Sequence, residues 1–248
     1  CGHCKYCTDG NENLCDQFQA TGRDVNGGYA EYMVAREKYT HLIPDFFSDK
    51  EAAPLLCAGA IGYRSIQLTN LKDRQSLGLT GFGASAHLVL KMVRYQYPKT
   101  RVYVFARREA ERNFALKLGA SWAGDTSDAS PEKLHAIIDT TPAWKPVVEA
   151  LGNLEKGGRL VVNAIRKEEA DKNYLQKLSY PNHLWMEKEV KSVANVTAKD
   201  VAEFLQLAAK AAIRPKVQTY PLEEANTALL ELKEQKIKGA KVLIINED

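Results

Sequence analysis

Short apolar segments alternate with amphipathic segments along the middle of the chain. The apolar segments are rich in β-branched and aromatic residues, as buried strands are, whereas the segments between them carry apolar residues at helical spacing. A regular alternation of strands and helices predicts βαβ units around a parallel sheet. The predicted strands cover residues 76–80, 101–105, 136–139, 159–163 and 189–194, and the predicted helices cover residues 84–95, 109–118, 142–154 and 199–212.

The two ends of the chain follow a different pattern. Near the start, two glycines lead into a strand that we predict up to Val34, and a second short strand is predicted over residues 39–43. Residues 49–70 have the apolar spacing of a helix, which Pro54 interrupts early. The last part of the chain predicts a strand over residues 216–220, an amphipathic helix over 222–236 and a closing strand over 241–245.

A glycine-rich turn follows the first strand of the middle region. Residues 81–86 fit the pattern G-x-G-x-x-A between a predicted strand and a predicted helix, the context that a dinucleotide-binding motif requires. The first glycine permits a tight turn, the second lets the backbone approach a pyrophosphate, and the third small residue allows close helix–strand packing. The alternative is a tight turn without a ligand. We predict an α/β Rossmann fold with a doubly wound parallel sheet, and coenzyme-binding residues Gly81, Phe82, Gly83, Ala84, Ser85 and Ala86.

The residues after the second strand indicate which coenzyme binds. An acidic side chain there would bind the ribose 2′-hydroxyl of NAD, whereas an arginine suits the 2′-phosphate of NADP. The chain has Ala106, Arg107 and Arg108 at this place, and guanidinium groups bind phosphate through two parallel hydrogen bonds. This favours NADP(H) over NAD(H). The alternative is that both arginines are solvated residues at a helix start, with Glu109 and Glu111 near enough to pair with them.

Polar and small residues also follow the fourth and fifth of these strands. In a doubly wound sheet the carboxyl ends of the strands face the ligand crevice. We therefore expect these residues to contact the coenzyme, with turn and capping roles as the alternative. They are Thr140, Thr141, Asn163 and Ala164.

Four of the five cysteines stand within the first fifteen residues, spaced C-x2-C-x2-C-x7-C. Four thiolates complete a tetrahedral zinc shell with no open position, and so predict a structural zinc site. A disulfide-bonded loop and an iron–sulfur cluster are the alternatives, although the ferredoxin spacing ends in C-x3-C-P and here Asp16 follows a longer gap. The predicted metal ligands are Cys1, Cys4, Cys7 and Cys15.

The composition is that of an ordinary globular protein, with 248 residues, 45% hydrophobic and 26% charged. A net charge of +3 gives no reason to expect nucleic acid as a partner, and no apolar run approaches the roughly 20 residues of a membrane span. The first segment is rich in cysteine and does not have the pattern of a signal peptide, so we expect a cytoplasmic protein. Because the chain begins inside the cysteine loop, at Cys1, we interpret it as a fragment or a processed form.

Taken together, these motifs resemble those of the zinc-dependent alcohol dehydrogenases in the medium-chain dehydrogenase/reductase superfamily. The matching motifs follow the family's order along nearly the whole chain, and their combination is more specific than any one of them. They are the cysteine loop at 1–15, GGYAEY at 27–32, PLLCAG at 54–59, the glycine turn at 81–83 with LGA at 118–120, and IKG at 237–239 before Val242.

The resemblance implies three parts in this chain. Residues 1–57 would be part of a GroES-like β catalytic domain carrying the structural zinc, residues 58–213 a Rossmann coenzyme domain, and residues 214–248 a return to the catalytic domain. It also implies reversible hydride transfer between a small alcohol and its aldehyde or ketone, catalysed at a second zinc ion. Cys57 would be a ligand of that catalytic zinc, and its alternative is an inert buried thiol.

The resemblance also indicates a gap. In the family the other catalytic-zinc ligands precede the cysteine loop, and a catalytic zinc needs three protein ligands. We therefore expect the chain to lack the upstream part of the active site. A non-catalytic, zinc-stabilised nucleotide-binding module is the second hypothesis, and a zinc-free quinone or enoyl reductase is a third. By analogy we expect a homodimer or homotetramer that pairs through the sheet edge near residues 189–194.

Overall fold

The computed structural model describes residues 1–234 and 240–245. The chain divides into two compact units, one formed by Cys1–Ala60 with Val196–Asp248 and the other by Ile61–Asn195. The domain division inferred above, with boundaries after residues 57 and 213, stays a prediction. The motif at 237–239 and the last two residues of the helix predicted over 222–236 lie outside the described residues.

The elements alternate along the middle of the chain as the apolar pattern predicts. The strands are β1 (Ser76–Thr80), β2 (Arg101–Phe105), β3 (Trp122–Gly124), β4 (Leu134–Asp139), β5 (Leu154–Val162), β6 (Glu189–Ser192), β7 (Val217–Pro221) and β8 (Ala240–Ile244). The helices are α1 (Lys5–Thr8), α2 (Asp49–Ala52), α3 (Ala58–Thr69), α4 (Ala84–Gln96), α5 (Glu109–Lys117), α6 (Lys145–Asn153), α7 (Ala198–Lys210) and α8 (Ala225–Lys233).

The unit formed by residues 61–195 contains a six-stranded sheet in the order β3-β2-β1-β4-β5-β6. All five strand pairs are parallel. This is the strand order of the Rossmann fold, in which two mononucleotide-binding halves meet between β1 and β4. The predicted Rossmann fold is therefore confirmed.

The centre of this sheet is fully buried, as a parallel sheet covered on both faces should be. All five residues of β1 are buried. The register pairs Thr80 with both Phe105 and Asp139, and Asp139 with Val162, so that these four strands end at one edge. One face carries a cluster of buried side chains from β2, β4, β5 and α6, which includes Phe105, Leu134, Ile137, Val147, Leu151 and Leu160.

Helices α3 and α4 approach each other closely at Gly62, which lies in α3. A Cβ on this glycine would lie 2.9 Å from Cγ2 of Val89 on α4. A glycine inside a helix costs about 1 kcal/mol relative to alanine. Here the missing side chain makes room for α4.

The other unit contains the cysteine loop and a small sheet. The loop includes α1 and a short 3₁₀ helix at Glu12–Leu14, and β7 pairs in parallel with β8. The backbone N–H of Ala198, at the start of α7, donates to Oε1 of the buried Glu12 at 2.9 Å. A carboxylate is favoured at a helix N-terminus, so this contact attaches the cysteine loop to α7.

Three predictions for the first sixty residues need correction. The strands predicted over 27–34 and 39–43 are absent, and Glu37–Tyr39 form a 3₁₀ turn instead. Isolated strands have no partner for their backbone groups, and the side chain of Val34 is 94% exposed. The helix predicted over 49–70 is divided, because the 3₁₀ segment Ala53–Leu56, which contains Pro54, separates α2 from α3.

Elsewhere the differences are small. The pattern did not predict β3, and β5 begins at Leu154, before the predicted strand. The strand β6, at one edge of the sheet, has all four residues exposed. The oligomer contact expected there stays a prediction. Within the described residues, no helix combines the length and the apolar character that crossing a membrane requires.

Candidate functional site

The four N-terminal cysteines lie together. Every pair of their Sγ atoms is within 4.8 Å, and Sγ of Cys1 lies 3.9 Å from that of Cys7 and 3.6 Å from that of Cys15. A tetrahedral zinc ion with Zn–S bonds of about 2.3 Å would place its sulfurs about 3.8 Å apart. All five cysteines are free thiols, and these separations are far longer than a disulfide bond of about 2.05 Å. The geometry therefore fits a metal ion, and no pair of cysteines is joined by a disulfide bond in this structure.

Backbone N–H groups donate to two of these sulfurs, and one of the two bonds favours negative charge on the sulfur of Cys15. The N–H of Gln17 donates to Sγ of Cys15 at 3.3 Å, and this bond lowers the pKa of the Cys15 thiol. The N–H of Cys4 donates to Sγ of Cys1 at 3.4 Å. Cys7 and Cys15 are buried, whereas His3 is exposed and its ring nitrogen bonds the carbonyl of Cys1. The loop thus presents sulfur rather than imidazole to a metal.

Cys57 is in a different setting. It follows the 3₁₀ segment Ala53–Leu56, precedes α3, and is exposed, so it is not the buried thiol of the alternative interpretation. Among the residues that the structure describes, the four N-terminal cysteines are the one group of three or more potential metal ligands within reach of a common ion. A catalytic zinc needs three protein ligands. The described residues therefore do not build a catalytic zinc site around Cys57.

The glycine turn connects β1 to α4 at the carboxyl edge of the sheet. Gly81 has a φ of +75°, and its N–H donates to the carbonyl of Phe105 at 2.8 Å. A positive φ is the left-handed region that favours glycine. The following Phe82 is buried, and its ring packs edge-on against Phe114 with 5.8 Å between centroids. The turn is therefore fixed by the hydrogen bond of Gly81 to β2 and by the packing of Phe82 against α5.

Gly83 is the N-cap of α4, and no side chain caps that helix end. A Cβ on Gly83 would have nothing within 4 Å, so the space beside the N-cap of the helix is open. Ala84 and Ser85 form the first turn, and Ala86 is fully buried against the sheet. A helix N-terminus with open space before it binds anions such as phosphate. The arrangement fits the pyrophosphate of a dinucleotide.

The segment after β2 presents its arginines to solvent. Ala106 is buried, and its N–H donates to the carbonyl of Gly124 at 3.0 Å, while Arg107 and Arg108 are exposed. Nη1 of Arg112 donates to the carbonyls of Ala106 at 2.8 Å and of Arg107 at 3.0 Å. Sequence reasoning missed Arg112, because its place in a helix gives no sign that it folds back onto the preceding turn.

The ends of β4 and β5 are tied to their neighbours. Oγ1 of Thr140 donates to the carbonyl of Thr80 at 3.0 Å, and Oγ1 of Thr141 donates to Oδ1 of Asp139 at 2.8 Å. The side-chain amide of Asn163 donates to Oγ of Ser65 at 2.7 Å, and Ala164 follows it, half-buried. These predicted coenzyme residues thus lie at the carboxyl ends of the two strands, on the side where this fold binds ligands.

Comparison with known proteins identifies the family. Residues 1–45 match the family described as Alcohol dehydrogenase GroES-like domain. The chain is 40% identical over 245 residues to "Probable alcohol dehydrogenase AdhA" of Mycobacterium tuberculosis (strain CDC 1551 / Oshkosh), an alignment that covers 99% of this chain and 69% of the relative. The chain belongs to the alcohol dehydrogenase family. It is thus a member of an enzyme family of oxidoreductases, and the resemblance to the medium-chain dehydrogenase/reductase superfamily is confirmed.

Solved structures share the fold of this alcohol dehydrogenase chain. The CAD of Helicobacter pylori complexed with NADP(H) superposes with a TM-score of 0.81 at 24% identity, over 98% of this chain and 71% of that one. Acetophenone reductase from Geotrichum candidum NBRC 4597, in complex with NAD, gives a TM-score of 0.80 at 23% identity, over 98% and 70%. At this level of identity the likeness shows the fold alone.

The alcohol dehydrogenase chain also contains a buried ion pair that sequence reasoning missed. The carboxylate of Asp139, fully buried at the end of β4, pairs with Nζ of Lys167, whose side chain is 10% exposed. Nζ of Lys167 also donates to the carbonyls of Thr141 at 2.7 Å and Ala143 at 3.1 Å. An isolated lysine in a polar stretch gave no signal of this role.

Proposed function

We propose that this protein transfers hydride reversibly between an alcohol and a nicotinamide coenzyme, with NADP(H) preferred over NAD(H). In the forward direction the carbinol carbon would lose a hydride to NADP⁺ and the hydroxyl would lose a proton. The products are an aldehyde or ketone, NADPH and H⁺. The observation that carries the proposal is the open, uncapped N-terminus of α4 at Gly83, at the carboxyl edge of a sheet with the Rossmann strand order.

The coenzyme, when bound, supplies the carbon that accepts or gives the hydride. The residues of the chain would bind and orient it. The glycine turn, from Gly81 to Ala86, would hold the pyrophosphate, because Gly83 leaves space for it and the α4 dipole favours its charge. Arg107 and Arg108, exposed after the buried Ala106, would bind the 2′-phosphate that distinguishes NADP from NAD.

Residues at the ends of β4 and β5 would orient the second half of the coenzyme. Thr140, Thr141, Asn163 and Ala164 belong to the half of the sheet that follows the reversal of strand order. In this fold each half of the sheet serves one mononucleotide. The nicotinamide half would therefore lie against these four residues.

The four N-terminal cysteines would hold one structural zinc ion. Their sulfur separations, close to those of a tetrahedral site, support this assignment. Binding of the metal would stabilise the loop, since a metal site rarely exists preformed in the unfolded chain. The catalytic-zinc role of Cys57 stays a prediction from the family resemblance.

A second candidate function is coenzyme binding without turnover. The absence of a second metal-ligand group among residues 1–234 and 240–245 favours it. Two assays on the same preparation separate the candidates. Fluorescence titration with NADPH and NADH measures binding, and absorbance at the coenzyme band during incubation with NADP⁺ and a series of primary and secondary alcohols measures turnover.

We expect NADPH to bind more tightly than NADH and at least one alcohol to be oxidised. Binding without turnover of any alcohol would select the second candidate. Failure of the folded protein to bind either coenzyme would contradict both. Zinc content, measured on the same sample, should be at least one ion per chain.

A further inference from the structure

The charged group buried deepest at the candidate coenzyme site is the pair formed by Asp139 and Lys167. Oδ1 of Asp139 accepts from Oγ1 of Thr80 at 2.5 Å and from Oγ1 of Thr141 at 2.8 Å, and Oδ2 accepts from Lys167. One carboxylate thus connects the end of β1, the end of β4 and the segment after β5. Thr80 directly precedes Gly81, the first residue of the glycine turn.

The ammonium group of Lys167 connects the segment after β5 to the segment after β4. Besides Asp139, it bonds the carbonyls of Thr141 and Ala143, which follow β4. The N–H of the next residue, Glu168, donates to the carbonyl of Pro142 at 2.8 Å. An ammonium group has three protons. With three oxygens as partners, all three are engaged inside the protein and none is left for a ligand.

A buried ion pair such as this one has a desolvation cost that an exposed ion pair does not have. Burial removes both charges from water, and a hydrophobic pair of similar volume would often stabilise a fold as well or better. The three hydrogen bonds of the Lys167 ammonium group go to residues 139–143, next to the predicted nicotinamide-half residues Thr140 and Thr141. The pair therefore fixes the position of these residues and not the centre of the hydrophobic core.

We infer that Lys167, through its ion pair with Asp139, is a positioning residue for the half of the coenzyme that binds over β4 and β5. This inference rests on the proposed function, because it takes the carboxyl edge of the sheet as the coenzyme site. Lys167 acts through the segment 140–143 and does not contact the ligand itself. The ammonium group of Lys167 bonds only residues of the second mononucleotide half in the contacts above, and the bond of Thr80 to Asp139 does not involve Lys167. Replacement of Lys167 should therefore leave binding of the adenosine half unchanged.

The test compares two ligands on two variants. NADPH uses both halves of the site, whereas adenosine 2′,5′-bisphosphate uses the adenosine half alone. In Lys167→Met we expect the Kd of NADPH to rise about tenfold or more, while the Kd of the bisphosphate stays unchanged. Lys172→Met is the matched control, because Lys172 forms an exposed ion pair with Glu169 in the same segment, and it should change neither Kd.

A merely structural role would move both affinities together or neither. Equal weakening of NADPH and bisphosphate binding, or unchanged NADPH binding in folded Lys167→Met, would overturn the inference. If wild-type protein binds NADPH but the variant binds it equally well, the inference alone fails. If wild-type protein binds neither ligand, the proposed function fails and the inference fails with it.

Lys167→Met leaves a buried carboxylate without its cation, which can prevent folding. In that case the double variant Asp139→Asn/Lys167→Gln removes both charges. The Kd of NADPH should again rise and that of adenosine 2′,5′-bisphosphate stay unchanged, and any other result would overturn the inference. Hydrogen exchange on the wild-type protein gives an independent decision. We expect NADPH to slow exchange of the amides of residues 140–143 and 163–168, and the bisphosphate to leave them unchanged. Equal slowing by both ligands, or none by NADPH, would refute the assignment.

Discussion

Gly81 lies directly against Thr141, since a Cβ on Gly81 would come within 2.8 Å of Cγ2 of that threonine. The same position has a φ of +75°. Gly81→Ala therefore meets both backbone strain and a steric clash, and we expect the free energy of unfolding to fall by about 1–3 kcal/mol. Chemical denaturation monitored by circular dichroism measures this change. A stability equal to that of the wild type would show that the turn tolerates a side chain.

Gly83→Ala is the contrasting substitution two residues later. Its Cβ would meet nothing within 4 Å, and the φ of Gly83 is −92°. We expect stability to stay within about 0.5 kcal/mol of the wild type, because alanine adopts this backbone conformation without strain. The methyl group would occupy the space proposed for the pyrophosphate, so NADPH binding should weaken about tenfold or more. Unchanged binding in a fluorescence titration would refute the proposed phosphate position.

Removing one sulfur from the cysteine cluster should remove the metal. Cys7 is buried and its Sγ is 3.9 Å from that of Cys1, so Cys7→Ser leaves the site with three thiolates. We expect bound zinc to fall from one ion per chain to none and the melting temperature to fall, because metal binding and folding of the loop are coupled. Elemental analysis and a thermal melt measure both. The exposed His3 gives the control, as His3→Ala should keep the zinc.

Glu51 should contribute an acid-sensitive part of the stability. Its carboxylate accepts from the N–H of Ser48 at 3.0 Å and from Nη1 of Arg214 at 2.7 Å, and these bonds lower the pKa of Glu51 from 4.5 to about 2. A lowered pKa means that the folded state binds its proton less readily than the unfolded state does. The contribution is therefore complete above pH 4.5 and is lost as the pH falls toward 2.

We accordingly expect Glu51→Gln to lower the melting temperature near neutral pH. The difference from the wild type should shrink as the pH falls through this window. Glu37→Gln, which changes an exposed carboxylate of the same unit, is the control. A difference between wild type and Glu51→Gln that stays constant from neutral pH to pH 2 would contradict the assigned pKa.

Coenzyme preference should depend on Arg107. In Arg107→Ala the Kd of NADPH should rise about tenfold, since an ionic bond to the 2′-phosphate is lost, while the Kd of NADH stays the same. Arg101→Gln changes an arginine at the opposite end of the same strand, where it pairs with Glu132, and should leave the ratio of the two affinities unchanged. Parallel weakening of NADPH and NADH in Arg107→Ala would indicate a role other than phosphate recognition.

Local sequence patterns predicted the strands of the sheet well where the strand is buried. The bounds of β1 and β2 agree with the prediction at both ends, because short buried apolar runs between helical segments have few alternative structures. Local patterns also predicted two strands within the segment 27–43, yet this segment forms no strand. A strand also needs a neighbour to receive its hydrogen bonds, and a local pattern contains no information about that neighbour.

The same distinction separates the parts of the candidate site. The cysteine cluster and the glycine turn were predictable, since their chemistry depends on residues a few positions apart. The pair of Asp139 and Lys167 joins residues 28 positions apart, and Arg112 folds back from within a helix. Contacts of this kind depend on tertiary packing, which a single sequence does not reveal.

The bond between Glu12 and the N–H of Ala198 joins positions 186 residues apart. On the function proposed above, a zinc ion orders the loop that carries Glu12, and that loop in turn completes the first turn of α7. Metal binding by the cysteine loop and the stability of the first turn of α7 are then thermodynamically linked. Removal of the metal by a chelator should therefore speed hydrogen exchange of the amides at the start of α7. The amides at the start of α7 would act as a built-in reporter of the metal.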